Sequence, residues 1–235
     1  MSGILYGVGV GPGDPELLTL KAVKIINNCA VIAVPKNGGA LGDGVALQIA
    51  KSAVSLDGKK IIELTLPMTR DKAELQRHHD DAAECVAAEL RAGYDVAFLT
   101  LGDPTIYSTY TYIHKRIIKM GLNAQFVAGV PSFCAVAARL NIPLTEGAQA
   151  LHILPASYKD TGAGLDMCGT RVLMKTGKAF AEVKKQLAGR GMLKNAKMVQ
   201  KCGMEGERVF ENLENADEDA SYFSVIILKD GEEKL

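Results

Sequence analysis

Two stretches carry residue types that could meet a ligand: Leu101-Gly102-Asp103-Pro104-Thr105-Ile106-Tyr107-Ser108-Thr109 and Gly7-Val8-Gly9-Val10-Gly11-Pro12-Gly13-Asp14-Pro15-Glu16. In each, an apolar run of strand formers stops at glycine, and an Asp-Pro pair follows that reads as helix cap and first helical residue. Such a strand-loop-helix corner offers bare backbone and free N–H groups at the carboxyl end of a strand, where ligands settle in open α/β sheets. Gly129-Val130-Pro131-Ser132-Phe133 reads as a third corner, with Ser132 at a helix start. Charge limits what these corners can hold. Counting G-x-G-x-x-G from Gly7, Gly9 or Gly11 puts Pro12, Asp14 or Glu16 at the last glycine, so the dinucleotide fingerprint fails. Asp14 and Glu16 at a helix start also oppose a phosphate. Gly177-Lys178 continues with Ala179 and has valine where a P-loop needs its first glycine. The corners therefore suit a cationic or neutral ligand, and a nucleotide-dependent oxidoreductase is disfavoured.

Composition narrows the partners further. The 235 residues are 48% apolar and 23% charged, and 27 Lys plus Arg balance 27 Asp plus Glu, which points away from disorder and from a nucleic-acid surface. A small-molecule partner is expected. Five cysteines, without a C-x-x-C pair, read as free thiols in a reducing cytoplasm, and no zinc site is expected. No stretch approaches the ~20 apolar residues of a membrane span, and the start lacks a basic, then apolar, leader pattern. His78 and His79 are adjacent on an expected helix and so point in different directions, which makes a solvated face the reading there and metal none.

The elements that must position the corners follow from periodicity. Strands are expected at Ile4 to Val10, Cys29 to Val34, Lys60 to Leu64 and Asp95 to Leu101. Helices are expected from about Leu17 to Ile26, Val45 to Val54, Lys72 to Ala92 and Tyr107 to Lys119, with a polar loop from Asn37 to Gly44. This places a first α/β domain at 1–120 and a second at 121–235. The second opens with a strand at Ala124 to Ala128 and a small-residue helix at Cys134 to Leu140. Strands at Ala150 to Leu154, Arg171 to Lys175, Lys197 to Lys201 and Tyr222 to Leu228 follow, with a helix at Phe180 to Arg190 and an acidic solvated stretch, Glu211 to Asp219.

The run from Gly7 to Ala22, then Leu101-Gly-Asp-Pro104, then Gly129-Val-Pro-Ser-Phe133, and later Leu173-Met174-Lys175, together resemble the tetrapyrrole (corrin/porphyrin) methylases. Gly102 to Tyr110 and Gly129 to Ala135 look like the branch that methylates carbon 20 of precorrin-2 or cobalt-factor II in cobalamin biosynthesis. The resemblance implies two α/β domains with the cofactor cleft between them, S-adenosyl-L-methionine as methyl donor leaving as S-adenosyl-L-homocysteine, a tetrapyrrole substrate, and a homodimer. It implies cofactor contacts at Leu101, Gly102, Asp103, Ile106, Ser108, Thr109, Ser132, Phe133, Met174, Gly203 and Met204, and substrate contacts at Pro12, Gly13, Asp14 and Tyr107. Asp14, Asp103 and Tyr107 are candidate proton acceptors, and Lys36, Arg70, Arg139 and Lys175 candidate partners for the substrate's carboxylates.

Overall fold

The computed structural model describes residues 1–36, 44–67, 69, 71–156, 161–216 and 222–230. The expected loop after Lys36, Arg70 and the last residues of the acidic stretch lie outside them. The chain divides into two compact units, 1–131 and 132–235.

The first unit runs β1 (Ile4–Gly9), a 3-10 turn at Pro15–Leu17, α1 (Leu20–Asn28), β2 (Val31–Lys36), α2 (Val45–Ala53), β3 (Lys60–Thr65), α3 (Lys72–Arg91), β4 (Val96–Thr100), α4 (Tyr110–Lys119) and β5 (Asn123–Val127). Its five strands form one parallel sheet in the order β3-β2-β4-β1-β5. Side chains alternate between the sheet's two faces, as a two-residue period requires. Leu5, Val31, Ala33, Val96 and Phe98 pack with α3 and α4, while Val8, Ile32, Val34, Ala97 and Leu99 pack with α1 and α2. Covering both faces explains why β4 is apolar from Val96 to Leu99 and buried along its whole length. Each large side chain so buried contributes ~1.5–3 kcal/mol relative to exposure.

Two local expectations are corrected. The strand read as opening the second half, β5, pairs with β1 from Ile4↔Asn123 to Val8↔Val127 and so belongs to the first sheet. Its edge position and polar, exposed residues hid that pairing, because strand periodicity carries no address for the partner. His79 does not face solvent. It is buried, with its ring stacked on Tyr112 at 4.6 Å and 9°.

The second unit contains α5 (Ser132–Arg139), β6 (Leu151–Pro155), α6 (Thr161–Leu165), β7 (Thr170–Met174), α7 (Phe180–Gly189), β8 (Ala196–Gln200), β9 (Arg208–Phe210) and β10 (Ser224–Leu228). The sheet order is β6-β7-β10-β8-β9, parallel between β6 and β7 and antiparallel elsewhere. Leu173, Phe180, Leu187, Met198, Ile226 and Leu228 form its core. Arg171, 2% exposed, pairs with Asp230 and donates to the carbonyls of Met167 (2.8 Å) and Gly169 (2.6 Å), fastening the turn before β7 to the end of β10.

Candidate functional site

Because β4, β1 and β5 are neighbours in one parallel sheet, their carboxyl ends bring the three glycine corners together. The approach is backbone on backbone. A Cβ added at Gly129 would lie 2.2 Å from the Gly102 carbonyl oxygen and 2.8 Å from Gly9 Cα, and one added at Gly9 would lie 2.6 Å from that same oxygen. Gly11 and Gly102, with φ of 76° and 70°, form a two-way bridge: Gly102 N–H donates to the Gly11 carbonyl at 2.7 Å and Gly11 N–H returns to Gly102 at 3.3 Å. Gly9 and Gly129 are thus glycine so that the corners can abut one another, which was not the reason the sequence suggested.

Asp103 ties this junction, and it does so differently from a helix cap. Its Oδ1 accepts from Thr105 N–H at 2.8 Å and from the Thr105 hydroxyl at 2.5 Å, and its Oδ2 accepts from Gly129 N–H at 2.9 Å. Pro104 and Thr105 form a turn closed by Ile106 N–H onto the Asp103 carbonyl at 3.2 Å. Tyr107 then takes φ 48°, a left-handed conformation, so α4 starts only at Tyr110 instead of Tyr107. There Ser108 Oγ accepts from Tyr110 N–H at 3.1 Å, while Thr109 makes no side-chain cap bond. Ile106, Ser108 and Thr109 are half-buried and Tyr107 is exposed.

At the first corner Pro12 and Gly13 are buried, and half-buried Asp14 accepts from Glu16 N–H at 2.9 Å, capping the 3-10 turn. The true cap of α1 is Thr19, whose hydroxyl accepts from Ala22 N–H at 3.1 Å and donates to the Ala128 carbonyl at 3.2 Å. Sequence reasoning missed Thr19 and Thr105. The signals were present, a threonine ahead of an apolar helical run and an Asp-Pro-Thr turn, but Asp14-Pro15 and Asp103-Pro104 looked like stronger helix starts. The corner residues 9–14, 101–109 and 128–131 hold two carboxylates, Asp14 and Asp103, and no lysine or arginine. That donor set fits a sulfonium or a neutral adenosyl group and offers nothing to balance a phosphate.

In the second unit Ser132 is the first residue of α5, half-buried, and Phe133 is buried behind it. Half-buried Met174 ends β7. Lys175 follows with φ 58°, and burial pushes its ammonium below the usual lysine range. Gly203 and Met204 lie in the loop joining β8 to β9. β8 runs in the same direction as β7, so this loop and Met174 stand at the same end of the second sheet's strands, on either side of the start of β10. Of the candidate carboxylate partners, Lys36 pairs with Glu63 at 2.6 Å and Arg139 with Glu207 at 2.5 Å, so neither is an uncommitted cation; Arg70 lies outside the described residues. Among the described residues no group of three or more His, Cys, Asp or Glu could hold a metal ion, and no helix is long and apolar enough to cross a membrane.

Comparison with known proteins places this α/β architecture, with its glycine-built corners, in a class of small-molecule transferases. The family model of the tetrapyrrole (corrin/porphyrin) methylases matches residues 4–217, and the chain belongs to that family. It is 43% identical over 174 residues, 73% of this chain and 72% of the relative, to a probable cobalt-precorrin-2 C(20)-methyltransferase of Methanocaldococcus jannaschii. It is 32% identical to the precorrin-2 C(20)-methyltransferase of a Sinorhizobium species, covering 97% of both chains. The fold is shared with a uroporphyrin-III C-methyl transferase of Thermus thermophilus solved with S-adenyl homocysteine, at TM-score 0.70 and 21% identity over 97% of this chain and 98% of that one.

Proposed function

We propose that the chain is an S-adenosylmethionine-dependent C-methyltransferase that adds a methyl group to carbon 20 of precorrin-2 or its cobalt-containing form, in cobalamin biosynthesis. The observation that carries this reading is identity to C(20)-methyltransferases reaching 43%, with one such relative matched over 97% of both chains. The corner composition supports it too, since glycine backbone with two carboxylates and no lysine or arginine suits a sulfonium better than a phosphate.

S-adenosylmethionine supplies an electrophilic methyl group. The acceptor carbon of a reduced macrocycle is already electron-rich, so the chain's task is alignment, and pre-positioning contributes ~7–11 kcal/mol in favourable systems. Asp103 serves that task by fixing the second corner against the third. Both its carboxylate oxygens are engaged with its own chain, which leaves Asp14 and Tyr107 as the corner candidates for proton acceptor. Leu101, Gly102, Ile106, Ser108 and Thr109 on the first unit, and Ser132, Phe133, Met174, Gly203 and Met204 on the second, are proposed as adenosyl contacts; Pro12, Gly13 and Tyr107 are proposed to border the macrocycle. A homodimer is proposed from the family resemblance, and a cytoplasmic location from cysteines that read as free thiols. Incubation with methyl-labelled S-adenosylmethionine and either metal-free precorrin-2 or its cobalt form tests the assignment. Transfer of one labelled methyl supports it, and binding without transfer to either acceptor refutes it.

A further inference from the structure

The loop between β8 and β9 is wound unusually tightly for its length. Lys201, Gly203 and Gly206 all take left-handed backbone, with φ of 51°, 72° and 78°. Lys201, with a side chain at that φ, is held in a conformation costing of order 1–3 kcal/mol, which persists only where surrounding contacts enforce it. Backbone bonds supply part of the enforcement: Lys201 N–H to Phe223 at 2.9 Å, Met204 N–H to Lys201 at 2.9 Å and Glu207 N–H to Met204 at 3.2 Å. A side chain adds to it. Glu207 sits at the end of the loop, just before β9 opens with Arg208 paired to Gln200, and both its carboxylate oxygens are used. Oε2 accepts from Gly203 N–H at 2.8 Å, and Oε1 accepts from Arg139 Nε at 2.5 Å. Arg139 closes α5, the helix that begins with Ser132 and Phe133.

We infer that Glu207 and Arg139 act as positioning residues for S-adenosylmethionine binding: the carboxylate clamps the Gly203-Met204 turn and anchors it to α5, holding two proposed adenosyl-contact segments of the second unit in fixed relation. The inference rests on the reading of Gly203-Met204 as a cofactor contact. Neither residue touches the reacting atoms. The Gly203 N–H, and then Arg139, hold the Glu207 carboxyl below the usual carboxylate range, so the clamp is ionised throughout the neutral region. A bond to a backbone N–H fixes where the turn lies, and a bond to a guanidinium fixes what it lies against; neither alone does both.

The test measures S-adenosylhomocysteine affinity by calorimetry, KM for S-adenosylmethionine, kcat and a melt on four variants of the full chain. Glu207→Ala is expected to raise Kd and KM about tenfold, the loss of a charge-assisted bond, with kcat at saturation within about twofold. Glu207→Gln keeps an acceptor for Gly203 and should raise both by a smaller factor. Glu207→Asp, too short to reach both partners, should resemble Ala. Met204→Arg separates the two readings by placing a bulky cation in the turn. If Met204→Arg leaves affinity unchanged, the turn is not a cofactor contact and the inference falls with that reading. If Met204→Arg weakens binding while Glu207→Ala lowers only the melting temperature, the turn binds cofactor but the clamp has no positioning role, and the inference alone is overturned.

Discussion

Replacing Asp103 by asparagine swaps one carboxylate oxygen for an amide that can only donate. The carboxylate accepts three bonds, two from Thr105 and one from Gly129. An asparagine oxygen can serve one side, which leaves the NH2 facing either the Gly129 N–H or the Thr105 N–H, donor against donor. A net bond to a charged group is worth ~1.5–3 kcal/mol, and Asp103 is only 8% exposed, so water cannot replace the lost partner cheaply. The exposed Thr105 can be rehydrated, so the asparagine side chain is expected to turn its oxygen to Gly129. The cost should then be ~2 kcal/mol for Asp103→Asn. Asp103→Leu, which strands both sides, should cost ~3–5 kcal/mol. Because these bonds hold the second corner against the third, stability and S-adenosylhomocysteine affinity are both expected to fall. Urea denaturation followed by circular dichroism, beside titration with S-adenosylhomocysteine, measures the two effects. An Asp103→Asn protein with the parent's unfolding midpoint would show that these bonds contribute nothing net and would refute the reasoning.

Gly129→Ala would force a methyl to 2.2 Å from the Gly102 carbonyl oxygen, backbone that cannot swing aside, and is expected to cost more than the ~1–3 kcal/mol of ordinary overpacking, read by denaturation; unchanged stability would mean that the corners do not abut. Burial lowers the pKa of both His79 and His114, so the unfolded chain takes up protons first. Stability should be full above about pH 6.5 and decline as pH falls below it, and His79→Phe should flatten that decline in pH-dependent melts. Asp230, held below the usual carboxylate range first by Arg171 and then by Gly169 N–H, contributes stability that is present above its unfolded value and lost at lower pH. Asp230→Ala leaves Arg171 buried without its counter-charge, and a loss of several degrees in melting temperature is expected.

Much of the architecture was legible in the chain because parallel strands covered on both faces read as uninterrupted apolar runs, and Val96 to Leu99 is such a run. The three corners were legible too, through glycine and Asp-Pro. What those residues do there was not. Asp103-Pro104 carries the local signature of a helix start, yet it closes a turn and spends its second oxygen on Gly129, 26 residues away. No periodicity encodes such a long-range partner. The same blindness concealed β5, whose exposed polar residues gave no hint that it flanks β1, and the bond from Gly203 N–H to Glu207. Arg139 was legible only as a cation able to meet a substrate carboxylate; that its side chain pairs with Glu207 of its own unit was not.

The central claim is regiochemical, and carbon-13 NMR of the product made with carbon-13-methyl-labelled S-adenosylmethionine tests it most directly. A single enriched methyl resonance coupled into the macrocycle at carbon 20 is the expected result, from metal-free precorrin-2 or from its cobalt form. Enrichment at any other ring carbon would contradict the assignment while leaving the family intact.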